Sequence, residues 1–150
     1  MKPEILLLTN KHTGEVLEIR REVRDGEVQF GLRGTLPAHR QGPPLHIHWA
    51  EDEEGEVTSG RLSAEVDGQK LTFGPGERIW LPRGKPHRWW NDSDEPLAFE
   101  GFTRPAVDLD RYLHAIFEVL NAGAPNRPPL FYMAHTALRH NRTQTVLLMP

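Results

Sequence analysis

The stretch "GERIWLPRGKPHRWWN", Gly76 to Asn91, holds two short runs rich in branched and aromatic side chains, "ERIWL" and "HRWWN". Between them "PRGKP" sets two prolines around a glycine, which punctuates the chain and reads as a turn. Pro75-Gly76 turns the chain into the first run. The same grammar extends outward. "RLSAEV" (Leu62, Ala64, Val66) and "QKLTF" (Leu71, Phe73) flank Asp67-Gly68, a strong hairpin signal because both residues tolerate positive φ. Further upstream, "EVLEIRREV" (Glu15–Val23) alternates imperfectly and turns at Asp25-Gly26 into "EVQFGLRGTL", where Val28, Phe30 and Leu32 share one face. Downstream, "DSDEP" is a polar loop before "LAFEGF". Seven or more short strands across residues 15–103 predict a sandwich or barrel.

The last third changes period. In "DLDRYLHAIFEVLNAG", Leu109, Tyr112, Leu113, Ile116, Phe117 and Leu120 recur at helical spacing. Asp108 suits an N-cap, Asp110 the positive end of the helix dipole, and Gly123 with Pro125 a stop. "LFYMAHTALRH", after Pro128-Pro129, predicts a second short helix, and nothing in the pattern places the tail "TVLLMP". The organisation is one domain: an all-β barrel over residues 1–107 and a helical extension over 108–150. The apolar stripe of the first helix needs cover, from its own barrel or from a second subunit.

Bulk properties narrow the class. The 150 residues carry 37% hydrophobic and 26% charged side chains, as ordinary globular chains do, and 13 glycines and 13 prolines scattered as turn punctuation. A net charge of −3 gives no basic face for nucleic acid. Without cysteine there is no disulfide, thiolate ligand or cysteine nucleophile. "MKPEILLLTNKHTGE" has only four consecutive apolar residues, too few for a secretory core, and no run approaches the ~20 that a membrane span needs. The expected address is cytoplasmic, with no membrane partner.

"PPLHIHWAEDEEGEVTSG", Pro43 to Gly60, raises the chemical question. His46 and His48, two apart on a strand, project to one face. A chelating pair needs that parity, but any surface strand has it too. The surrounding residues decide. His46, His48, Glu53 and Gly60 match the pattern G-x5-H-x-H-x3,4-E-x6-G from its first histidine onward, its leading glycine being displaced to Gly42, four before His46. Gly76, Pro82, Gly84, His87 and Asn91 match G-x5-P-x-G-x2-H-x3-N at all five positions. Over residues 28–103 the sequence resembles the cupin superfamily, as a small single-domain cupin similar to the quercetin-dioxygenase-like type.

The resemblance implies a double-stranded β-helix, or jelly-roll barrel, with His46, His48, Glu53 and His87 as ligands of one divalent transition metal. Three imidazoles and a carboxylate suit Fe, Mn, Ni, Cu, Co or Zn without choosing among them. Glu51, Asp52, Glu54 and Glu56 are expected on a solvated rim, unless Glu51 or Asp52 reaches over the metal as acid or base. Two positions bear on a substrate pocket. Many cupins carry an aromatic two residues after the carboxylate; here Gly55 stands there, and its missing side chain is expected to enlarge the cavity. Trp89 should share the face of His87, either walling the pocket or packing in the core. Phe30, Phe73, Ile79 and Phe99 are expected in the core, Arg78 and Lys85 in solvent.

Two function classes follow. One is a metal-dependent enzyme of dioxygenase type, acting on an enolic or phenolic small molecule with Glu53 as the catalytic carboxylate that takes the proton; isomerases and decarboxylases use similar sites. The other is a non-catalytic module that binds or senses a small molecule. A homodimer is the expected assembly.

Overall fold

The computed structural model describes residues 4–124 and 130–146. In chain order the elements are β1 (Ile5–Thr9), β2 (Val16–Arg24), β3 (Glu27–Leu36), β4 (Arg40–Gln41), β5 (His46–His48), β6 (Asp52–Ser59), β7 (Leu62–Val66), β8 (Gln69–Phe73), β9 (Arg78–Leu81), β10 (His87–Asn91), β11 (Leu97–Arg104), α1 (Leu109–Ala122), α2 (Leu130–Arg139) and β12 (Gln144–Val146). A large sheet runs β1-β2-β3-β11-β6-β9, and a smaller one runs β12-β5-β10-β7-β8 with β4 also on β10. All the pairings are antiparallel. Two such sheets form the jelly roll.

Both Asp-Gly signals form the hairpins expected of them. Asp25 and Gly26 take φ of 51° and 79°, and Asp67 and Gly68 take 51° and 81°, the paired positive values that match the twist of the flanking strands. Alternation then sorts the side chains. Leu36, Val57, Leu62, Ala64, Ile79, Leu81 and Leu97 are buried between the sheets, with Phe73, Trp89 and Phe99 packed against them. Each leucine, isoleucine or valine among them, when fully buried, contributes about 1.5–3 kcal/mol before entropy is counted. A second core joins Leu8, Ile19 and Phe30 to Leu109, Tyr112 and Phe117 of α1. The apolar stripe of the helix thus packs on its own large sheet.

Several local expectations need correction. Asp108 is the N-cap residue of α1 as expected, but its side chain makes no cap bond. Its Oδ2 instead accepts from His140 Nδ1 at 2.7 Å and from Thr143 Oγ1 at 3.0 Å, which ties the start of α1 to the chain after α2. Gln144–Val146, part of it from the unplaced tail, adds β12 beside β5; residues 147–150 lie outside the described residues, as do Pro125, Pro128 and Pro129. "ILLLT" pairs with β2 as an edge strand.

Candidate metal centre

His46 and His48 lie on β5 and His87 begins β10, directly opposite His46 in the small sheet. Glu53 lies on β6 of the large sheet, opposite Thr103 and Leu81. The donors therefore meet in the space between the sheets, and one ligand atom from each of the four residues lies within 4.8 Å of the others. His46 Nε2 is 3.0 Å from His48 Nε2, and Glu53 Oε2 is 3.1 Å from His87 Nε2 and 3.4 Å from His48 Nε2. All three histidines are buried.

Local backbone explains the aim of the rings. Gly84, at φ 78°, donates its N–H to the His48 carbonyl at 2.8 Å, which binds the second motif to the first. Asn91 Nδ2 donates to the carbonyls of Leu36, Pro37 and Glu95, while its Oδ1 accepts from Ser93 N–H and Oγ. That hub fixes the end of β10, four residues beyond His87. His46 Nδ1 donates to Pro44 O at 2.7 Å and His87 Nδ1 to Lys85 O at 3.2 Å. In neutral rings this leaves both Nε2 atoms as bare lone pairs turned inward.

The donor set fits a cation. His87 Nε2 is buried without a hydrogen-bond partner and faces a carboxylate oxygen that also offers only lone pairs. A proton on His48 Nε2 could serve only one of its contacts, so the cluster stays short of positive charge. Two donors bound at about 2.1 Å to one ion stand roughly 3.0 Å apart at right angles and about 3.4 Å apart at the tetrahedral angle. The three measured separations fall in that range. The electrostatics agree: burial, with the neighbouring imidazoles, lowers His46 to about 3 and burial lowers His48, so these rings stay neutral and ready to ligate. Burial would raise the Glu53 carboxyl, whereas any positive charge on the His48, His87 and His46 side lowers it, so the pocket around this carboxylate favours a cation.

The acidic run divides. Asp52, Glu54 and Glu56 are half-buried rim residues beside Arg83, Arg78 and Arg104. Glu51 is not on the rim. It is 0% exposed, and its Oε1 accepts from Gln144 Nε2 at 2.8 Å. Burial first, then the Glu53 and Asp108 carboxylates, push it up to about 8. Its parity with Glu53 and Val57 was the available signal. Gly55 lies opposite the inward-facing Ile79, on the side of Glu53. A Cβ there would stand 3.2 Å from Ile79 Cγ2, so the expected extra space is taken by that methyl. Trp89, on the His87 face, packs edge-to-face on Phe99 with ring centres 5.0 Å apart. Sequence reasoning missed Thr103, 0% exposed with an unpartnered hydroxyl opposite Glu53, and Gln144, which no local pattern marks.

Jelly-roll topology and this histidine–glutamate cluster define the class: the chain carries a cupin domain. The Cupin_2 family, cupin domain, matches residues 32–102. Over 94 residues, 61% of this chain, it is 34% identical to the oxidoreductase iacF of Pestalotiopsis fici. Over 67 residues, 43% of this chain, it is 33% identical to the Hypocrea virens protein named probable oxidoreductase virH. The matches span 46% and 31% of those proteins, so this chain corresponds to less than half of either. Among solved structures, KdgF from Halomonas sp. is similar with a TM-score of 0.53 and 22% identity, over 63% of this chain and 82% of that one. The likeness to KdgF shows the fold. Among the described residues no helix is long and apolar enough to cross a membrane.

Proposed function

We propose that this cupin is a metal-dependent oxidoreductase of dioxygenase type acting on an enolic or phenolic small molecule, with His46, His48, Glu53 and His87 as metal ligands. The carrying observation is the convergence of three buried imidazoles and one carboxylate, with His87 Nε2 buried and lacking any hydrogen-bond partner. The oxidoreductase names of the two fungal relatives favour redox chemistry over isomerisation or decarboxylation. A divalent transition metal in this cluster supplies Lewis acidity toward an enol or phenol oxygen and a path for electrons between substrate and O2.

The chain's own groups do the rest. Glu53 is the carboxylate that takes the hydroxyl proton as the substrate docks. Ile79, leaning over Gly55, sets the width beside the carboxylate. Both atoms of O2 enter the product and the substrate supplies the electrons, so no separate reductant is needed. The test is O2 uptake with a flavonol or catechol panel by protein loaded in turn with each candidate metal. Uptake should follow metal content and fall at least tenfold in Glu53→Gln. Conversion without O2 consumption would assign a decarboxylase or isomerase, and ligand-induced thermal shift without turnover under any metal would assign a binding module; either result overturns the proposal.

A further inference from the structure

A neutral imidazole that offers Nε2 to a cation keeps its proton on Nδ1, and some acceptor must receive that N–H. His46 and His87 meet this need locally, each through a carbonyl two residues upstream. His48 does not: its Nδ1 is buried without a hydrogen-bond partner. Across the β5–β12 pair, Gln144 stands directly opposite His48. Residues so paired share a sheet face, with Cβ atoms about 4.5–5.5 Å apart. Gln144 is 1% exposed, and its Nε2 is committed to Glu51 Oε1 at 2.8 Å. That bond orients the amide and leaves Oε1 as a buried acceptor without a partner. A donor lacking an acceptor and an acceptor lacking a donor thus occupy neighbouring strands. The segment is docked independently, by Trp49 N–H to Thr143 O and by Trp49 Nε1 to Thr145 Oγ1, each at 2.8 Å.

We propose that Gln144, on a strand outside the matched cupin region, is a positioning residue of the metal centre: its Oε1 accepts the His48 Nδ1–H and fixes the tautomer that turns Nε2 toward the cation. The proposal rests on the metal-centre reading above. It gives the C-terminal segment a direct part in the site, where the two sequence motifs account only for the ligands.

The experiment measures Zn(II) affinity by chelator competition for the full chain and for His87→Ala, Gln144→Met and Thr145→Val. Imidazole nitrogen NMR of the zinc-loaded proteins reads the His48 Nδ1–H. Loss of a partner outside the ligand set typically weakens metal binding by about 10–100-fold. Gln144→Met should lose that much affinity and speed solvent exchange of the His48 Nδ1–H. Thr145→Val, which loosens the docking without touching the ring, should bind zinc like the wild type. Equal affinity in Gln144→Met, or equal losses in Gln144→Met and Thr145→Val, would overturn the proposal. So would a His48 Nδ1–H exchanging too fast to observe in the wild-type protein, a measurement that stands even where a variant fails to fold. Undiminished zinc binding by His87→Ala would instead sink the metal-centre reading itself.

Discussion

Glu51→Gln in metal-free protein replaces a buried titrating group by a neutral one of the same shape, and Gln144 Nε2 can still donate to the new Oε1. The carboxyl of Glu51 is raised from 4.5 to about 8, by burial first and then by the Glu53 and Asp108 carboxylates. A carboxyl whose folded value exceeds its unfolded one contributes stability that is fully present below the unfolded value and is lost as pH rises through the folded value. The window here therefore runs from 4.5 to about 8. Between about pH 5 and about pH 7.5, linkage at about 1.36 kcal/mol per unit removes roughly 3 kcal/mol from the wild type relative to the variant. For a chain of this size that is a melting difference of roughly 6–12 °C. Urea denaturation of both proteins with chelator present, at three pH values across the window, reads the difference, in which the other titrating groups largely cancel. A difference that stays flat within about 0.5 kcal/mol would refute the placement of Glu51 as a buried neutral acid.

Zinc or manganese at about 100 times its dissociation constant should stabilise chelator-stripped protein by about 2.7 kcal/mol, a rise in melting temperature that His46→Ala abolishes and that differential scanning calorimetry reads. Leu97→Ala, at a side chain with 0% exposure between the sheets, should cost about 3–5 kcal/mol in urea denaturation. Gly68→Ala should cost about 1 kcal/mol through φ of 81° alone, since a Cβ there meets nothing within 4 Å. We propose a homodimer in which edge strand β1, with Ile5 55% and Leu7 63% exposed, meets its copy; light scattering should give twice the chain mass and Leu7→Lys should halve it, whereas a monomeric wild type refutes the assembly.

What was legible in the sequence was whatever acts over short range. The Asp-Gly hairpins, the β9–β10 turn and the α1 stripe each depend on a few adjacent residues. The second motif reads partly for the same reason: Gly84 supplies a positive φ and Asn91 holds the Glu95 carbonyl and Ser93 within the following loop. Long-range pairing was not legible. Gln144 reaches Glu51 across 93 positions, and nothing near either residue announces the other. Asp108 stands at the N-cap of α1 as its neighbours suggested, yet His140 and Thr143, more than thirty residues on, hold its carboxylate in place of a capping bond. Glu51 hid within a run of acids that elsewhere face solvent, where composition outweighed parity.

Three prospective ligands ride on one sheet and the fourth on the other. An ion gripped there is a rivet through both layers, and any breathing motion that parts them must first surrender a coordination bond. Amide exchange in β6 and β10 should slow in step once the rivet is set, coupling the rhythm of two surfaces that share no ladder.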